Sequence, residues 1–166
     1  MKIAGAAPDE ALRERALAPD ASFLVQAPAG AGKTELLIQR YLRLLSLVDE
    51  PEEILAITFT RKAAAEMQRR ICQALVGEPR AGSADSASGR RQQLLVAAVR
   101  SRDRARGWGL ADYPSRLRIS TIDSLNASLA RSTPVSSGTN VLRPLATQFE
   151  PLYRQAAGDA LRLLVE

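Results

Sequence analysis

Apolar residues recur along this chain at two periods, and the switches between them sketch an α/β protein. From Asp9 to Leu17 the spacing of Leu12, Ala16 and Leu17 is helical, and Pro19-Asp20 ends the pattern. Phe23 to Ala27 is a short apolar run that reads as a buried strand, and it leads straight into Pro28-Ala29-Gly30-Ala31-Gly32. Lys33 to Leu47 then sets Leu36, Leu37, Arg40, Tyr41, Leu44 and Leu45 at helical intervals. After Pro51, Ile54 to Phe59 is a second β-rich run, and Lys62 to Val76, rich in Ala, Glu, Met and Arg, is a second helix. A βαβα order of this kind implies a parallel sheet with right-handed crossovers.

The pattern weakens from Gly77 to Gly89, where Gly, Pro, Ser, Ala and Asp predict a loop. A helix is expected from Arg91 to about Arg104, a third strand over Leu117 to Thr121, and a third crossover helix over Ile122 to Arg131. Ser132 to Thr139 is turn-like. Pro151 to Val165 is helical again, with Leu152, Ala156, Ala160, Leu161 and Leu164 on one stripe, and the chain stops inside that pattern without a glycine or asparagine cap. There is no internal repeat.

Composition narrows the chemistry. A chain of 166 residues with a hydrophobic fraction of 46% has the size of one domain and enough apolar side chain for a core. No run approaches the roughly 18 to 20 apolar residues of a membrane span, and the N-terminus lacks the apolar core of an export signal, so the expected location is cytoplasmic. The single cysteine, Cys72, allows no internal disulfide, and with no histidine in the chain, zinc sites and Ser-His or Cys-His hydrolases are excluded. Cys72 is expected to pack on a helix as a small hydrophobe.

The net charge of +5 lies between Arg80 and Arg106, where seven arginines face two aspartates. This basic segment, which we assign to an insertion over residues 78–116, either meets nucleic acid or is a solvated arginine-rich face. Lysine is scarce: Lys2, Lys33 and Lys62 only.

The chemistry centres on Ala27-Pro28-Ala29-Gly30-Ala31-Gly32-Lys33-Thr34, which fits the phosphate-binding pattern G-x-x-x-x-G-K-[ST] with Ala at the first position. It leaves an expected strand and opens an expected helix. Small residues let backbone N–H groups curl around phosphates, and the positive end of the helix dipole favours the anion. Lys33 is placed to bridge the outer phosphates and Thr34 to hold Mg²⁺ through its hydroxyl.

Such a loop serves many kinds of NTPase, so the neighbouring segments decide. Pro28 to Thr34 with Glu35-Leu36-Leu37 resembles motif I of the UvrD/Rep/RecB group of superfamily 1 DNA helicases. Ile54 to Met67, with Thr58-Phe59-Thr60-Arg61-Lys62 at its centre, resembles motif Ia, and Arg118-Ile119-Ser120-Thr121-Ile122-Asp123-Ser124-Leu125 resembles motif Ib. The three motifs occur in order and cover nearly the whole chain, with the greatest likeness to RecB/AddA-like enzymes. The resemblance implies a P-loop NTPase fold, namely part of a RecA-like motor domain 1A with a parallel sheet flanked by helices. Residues 1–166 would be its N-terminal portion. It implies ATP and Mg²⁺ as cofactors, 3′-to-5′ translocation on single-stranded DNA, and a partner subunit or domain with nuclease activity in the intact enzyme. It also implies ATP contacts along Ala27 to Glu35 and DNA contacts at Phe59, Thr60, Arg61, Lys62, Thr121, Asp123 and Ser124.

Each of those DNA residues also has a plainer role open to it. Phe59 leaves the C-terminal end of a parallel strand, where it either stacks a base or caps the core. Lys62 is either a phosphate contact or a solvated helix charge, and Thr121, Asp123 and Ser124 are equally suited to capping a helix. Two departures from the family pattern stand out. Arg13 occupies the place of the glutamine that reads adenine in this group, though an arginine is able to stack on a base. Asp123 stands where many relatives have His. No acidic pair of motif II and no arginine finger follows Thr121, so the 166-residue chain is expected to bind ATP without turning it over. The rival readings are a non-catalytic nucleotide- or DNA-binding fragment and a different P-loop enzyme such as a small-molecule kinase.

Overall fold

A computed structural model describes residues 10–77, 86–132 and 149–163. The elements in order are α1 (Glu10–Arg15), α2 (Lys33–Leu45), β1 (Leu55–Thr58), α3 (Arg61–Val76), α4 (Ala87–Arg106), β2 (Arg118–Thr121), α5 (Ile122–Ser132) and α6 (Glu150–Leu163). Short 3-10 turns at Pro51–Glu53 and Pro114–Arg116 lead into β1 and β2. Two compact units divide the chain, residues 1–125 and 126–166.

In the first unit β1 and β2 form a two-stranded parallel sheet, with Leu55 opposite Arg118 and Thr58 opposite Thr121. The expected parallel α/β pattern is therefore present, with α3 and α4 in the crossover. Arg116 sets the two strand entries side by side: it donates to Glu52 at 2.7 Å, Glu50 at 2.8 Å and the Trp108 carbonyl at 3.2 Å. Its hydrogen bond holds the Glu52 carboxyl below the usual carboxylate range.

The core lies where α2, α3 and α4 meet. Helix α2 contributes Leu36, Ile38, Tyr41, Leu42 and Leu45, α3 contributes Met67 and Ile71, and α4 contributes Leu95, Val96 and Val99, with Trp108, Leu110 and Leu117 closing one side. Cys72 packs against this cluster, as its sequence context predicts, and burial raises its thiol pKa. The helices stop for identifiable reasons. At the end of α2, Leu47 N–H turns to the Leu44 carbonyl at 2.8 Å and Ser46 Oγ to the Arg43 carbonyl at 2.7 Å, two residues before the expected end at Leu47. Helix α4 runs to Arg106 because Gly107 adopts a left-handed conformation (φ 67°), and Asp103 receives the N–H of Gly109 at 2.8 Å.

The expected strand at Phe23–Ala27 does not form. The segment has no ladder, and Phe23, Leu24 and Val25 are exposed. A strand needs a neighbour for its N–H and C=O groups. Among the described residues β1 and β2 pair only with each other, so the run stays at the surface. Arg40 orders its approach instead, donating to the carbonyls of Ala16 (2.6 Å), Ala18 (3.0 Å) and Ala21 (2.9 Å) while its guanidinium lies 5.2 Å from the centre of the Phe23 ring.

The basic segment resolves into an intramolecular role for four of its arginines. Arg91 pairs with Glu10 and Glu14, Arg100 donates to carbonyls at the end of α3, and Arg102 and Arg106 both reach Asp49. In the second unit α6 carries Leu152, Ala156, Ala160 and Leu161 within a helix, all exposed, and Phe149 meets Tyr153 edge-on at 5.7 Å. Arg80, most of the turn-like stretch from Ser132 to Thr139, and Leu164 lie outside the described residues.

One core group is poorly served. Tyr41 is 3% exposed, its hydroxyl has no hydrogen-bond partner among the described residues, and burial raises its pKa above the ordinary phenol range. A buried donor without a partner costs about 1 to 3 kcal/mol. Tyr41→Phe is therefore expected to stabilise the protein by about 1 kcal/mol in urea unfolding, whereas Leu42→Ala, which opens a cavity at a fully buried position, is expected to cost about 2 to 5 kcal/mol. A comparable loss for Tyr41→Phe would contradict the first expectation.

Candidate functional site

The glycine loop connects the exposed segment to α2 in a conformation that glycine alone adopts readily. Gly30 and Gly32 both have φ of 78°, in the left-handed region, and Gly32 is the N-cap of α2. A Cβ on Gly30 would meet nothing within 4 Å, so the face above it is open. The first intrahelical N–H of α2 is that of Leu36, bonded to the Gly32 carbonyl at 3.1 Å. The N–H groups of Lys33, Thr34 and Glu35 ahead of it thus have no acceptor within the helix. They share the positive end of the helix dipole.

Lys33, half-buried, is the first residue of α2, and its ammonium folds back into the loop. It donates to the carbonyls of Ala27 at 2.5 Å and Pro28 at 2.6 Å. The loop is also tied across its base, Ala31 N–H to the Pro28 carbonyl at 3.3 Å. Thr34 is exposed beside Lys33, and Pro28 and Ala29 form the outer rim. Glu35 is turned inward, at the outer limit of a hydrogen bond from Gln39 (3.5 Å). Arg13 reaches over from α1: its Nη2 donates to the Ala31 carbonyl at 2.8 Å, and its guanidinium lies 3.3 Å from where a Cβ on Gly32 would be. Gly32 is favoured by its left-handed backbone angle, and a side chain there would also press on the Arg13 guanidinium.

A second group of residues gathers at one edge of the sheet. Because β1 and β2 are parallel and in register from Leu55↔Arg118 to Thr58↔Thr121, their C-terminal ends are level, separated by the roughly 4.8 Å of neighbouring strands. The segments that leave the two strands therefore emerge side by side, the position at which open α/β sheets present ligands. After β1, Phe59 is 93% exposed, which removes the core-cap role left open for it. Thr60 caps α3 by accepting from Ala63 N–H at 3.1 Å, and Arg61 and Lys62 are exposed on its first turn. After β2, Thr121 is buried and its Oγ1 accepts the Ser124 N–H at 3.2 Å and lies 2.9 Å from Ser124 Oγ. Thr121 thus has the capping role. Asp123 and Ser124 are exposed.

The structure thus brings Arg13 and the residues from Ala27 to Glu35 into one loop region, and the residues after β1 and β2 onto one sheet edge. Among the described residues no group of three or more His, Cys, Asp or Glu is arranged to hold a metal. Sequence patterns missed Arg40, which fixes the approach to the loop, and the buried Gln39, whose polar place between Ile38 and Leu42 on the apolar face of α2 was the available signal. No helix among the described residues is long and apolar enough to cross a membrane.

The sequence profile of the UvrD/REP helicase N-terminal domain matches residues 9–158. DNA helicase II of Salmonella typhimurium is 49% identical over 71 residues, 42% of this chain and 10% of that protein, and DNA helicase II of Escherichia coli is 48% identical over the same length. An ATP-dependent helicase/nuclease subunit of Moorella thermoacetica is 43% identical over 79 residues, 46% of this chain and 6% of that protein. The chain thus matches a tenth or less of the length of these relatives. No solved structure matches it. With a profile match that covers most of its length, the chain belongs to the UvrD/REP helicase N-terminal domain family.

Proposed function

We propose that this chain is the ATP-binding and single-strand-contacting part of a 3′-to-5′ DNA translocase of the RecB/AddA type, acting in DNA repair. Residues 1–166 would be the N-terminal portion of its RecA-like motor domain, with 78–116 as a basic segment within it. In the whole enzyme, ATP hydrolysis would drive stepping along single-stranded DNA. The relatives named as helicase/nuclease subunits support a nuclease-bearing partner.

The observation that carries this reading is the loop: left-handed Gly32 followed at once by Lys33, whose ammonium occupies the hollow of its own backbone. A triphosphate entering that hollow offers anionic oxygens in place of the Ala27 and Pro28 carbonyls, a stronger pairing for an ammonium. The open face over Gly30 admits it, and the N–H groups of Lys33, Thr34 and Glu35 point the positive end of α2 at it. Thr34 would hold Mg²⁺, and Arg13 would border the nucleotide. At the sheet edge Phe59 would stack a base, while Thr60, Arg61, Lys62 and Ser124 would meet the phosphate backbone without reading sequence. Asp123 would sit at the rim of that track, and Thr121 would serve it by holding the first turn of α5 in place.

Lys33→Ala is expected to weaken ATP binding at least about tenfold, the effect of losing a charge-assisted contact, and equal affinities of the two proteins in calorimetry would contradict the loop assignment.

Phe59→Ala separates the second half of the reading. A ring that is 93% exposed contributes little to the core, so melting temperature and ATP affinity are expected to stay unchanged. Affinity for single-stranded DNA is expected to fall by the roughly 1 to 3 kcal/mol that base stacking supplies. A destabilised protein with matched losses of both ligands would defeat the stacking role.

A further inference from the structure

We propose that Arg91, on α4, is a positioning residue for the phosphate loop, acting through α1 and Arg13. Helix α1 has six residues and none of them is buried. A helix that short does not persist by its own hydrogen bonds. Its place depends on what grips it from outside: just past its C-terminal end Ala16 and Leu17 are buried and Arg40 holds the Ala16 carbonyl, and along the helix itself Arg91 supplies the grip. Arg91 Nε donates to Glu14 at 2.6 Å, and Nη2 donates to Glu10, four residues earlier on the same helical face. The Arg91 side chain is 14% exposed and that of Glu10 20%, so solvent screens this pair far less than a surface one.

The grip itself is braced. Arg91 Nη1 donates to Gln39 Oε1 at 3.2 Å, and the Gln39 amide nitrogen donates to Ser88 Oγ at 2.7 Å and to the Ser88 carbonyl at 3.2 Å. Gln39 is 1% exposed and lies on α2, the helix whose first residue is Lys33. The guanidinium is therefore fixed against both α2 and α4 before it takes hold of α1.

Arg13, on the same short helix, extends to the loop, holding the Ala31 carbonyl at 2.8 Å and lying against Gly32. Glu10 and Glu14 anchor the helix, and Arg13, next to Glu14, carries that anchorage to the two residues ahead of Lys33. Release of Arg91 frees α1 to fray, withdraws Arg13, and leaves the left-handed turn at Gly32 unsupported. The effect on ligand rests on the nucleotide role of the loop; the mechanical link does not.

The test is a double-mutant cycle on the full chain, read first by amide hydrogen exchange without nucleotide. Arg91→Ala and Arg13→Ala are each expected to speed exchange of the loop amides that are hydrogen-bonded, Ala31 to the Pro28 carbonyl and Leu36 to the Gly32 carbonyl, on the order of fivefold, the effect of one hydrogen bond. The double variant is expected to add nothing further, since both act through one link. Exchange in β1 is expected to be unchanged. Wild-type exchange in the loop of Arg91→Ala, an equal rise in β1, or effects that multiply in the double variant would each overturn the proposal. Should Arg91→Ala fail to fold, Glu14→Gln replaces it: the Glu14 side chain is 68% exposed, and its loop exchange must still rise. ATP titration of the same proteins is expected to show the same non-additive losses, and additive losses would also overturn it. If Lys33→Ala binds ATP as the wild type does, the nucleotide reading fails while the exchange cycle still decides the role of Arg91.

Discussion

Helix α2 carries two incompatible demands. It must be buried along its length, with Ile38, Leu42 and Leu45 almost wholly enclosed, and its first turn must remain open with Thr34 exposed. A helix start buried against the core would lose its free N–H groups to other protein acceptors, and one lifted clear would lose its packing. The left-handed turn at Gly32 reconciles the two, because the chain enters α2 at an angle that keeps the loop outside the core. The packing of α4 and α3 on α2, the tether from Arg40 and the bridge from Arg13 all follow from keeping that one helix fixed at its start.

Arginine is the tool used for this. Arg40, Arg100, Arg102 and Arg116 each gather backbone carbonyls that secondary structure leaves over, at the approach to the loop, at the end of α3, after α2 and at the entry to the sheet. A planar guanidinium with several donors is suited to bundling carbonyls, and it stays charged at every physiological pH. The local excess of positive charge in α4 is in large part structural, spent on Asp49, Glu10, Glu14 and the last carbonyls of α3. The exposed cations Arg61 and Lys62, at the sheet edge, have no such employment among the hydrogen bonds and ion pairs described.

The elements that sequence makes legible are those whose signal is local. The helical period of α2, the glycines of the loop and the β runs at 55–58 and 118–121 all depend on residues within a few positions of one another, although the buried face of α2 runs through Ile38 and Leu42 and leaves the expected Leu37 exposed. The run at Phe23–Ala27 is equally apolar, but whether it becomes a strand depends on a neighbour far away in sequence, and apolarity carries no information about that. The same holds for Phe59: a ring at a strand end is a core cap or a surface platform according to what stands opposite. Arg91 to Glu10 and Gln39 to Ser88 join positions 81 and 49 residues apart, beyond the reach of periodicity. The glycine turn and the helix that opens at Lys33 were legible, whereas the supports of the loop were not.

Arg40 holds the stretch from Ala16 to Ala21 by its main chain, so the identity of the side chains at Ala18 and Ala21 is immaterial to the hold. What is not immaterial is their number. One residue more or fewer between α1 and Phe23 would turn the wrong carbonyls toward the guanidinium. This connection is therefore free to drift in letter while its length is locked, the reverse of the ordinary surface loop, which tolerates insertions more readily than most of the fold.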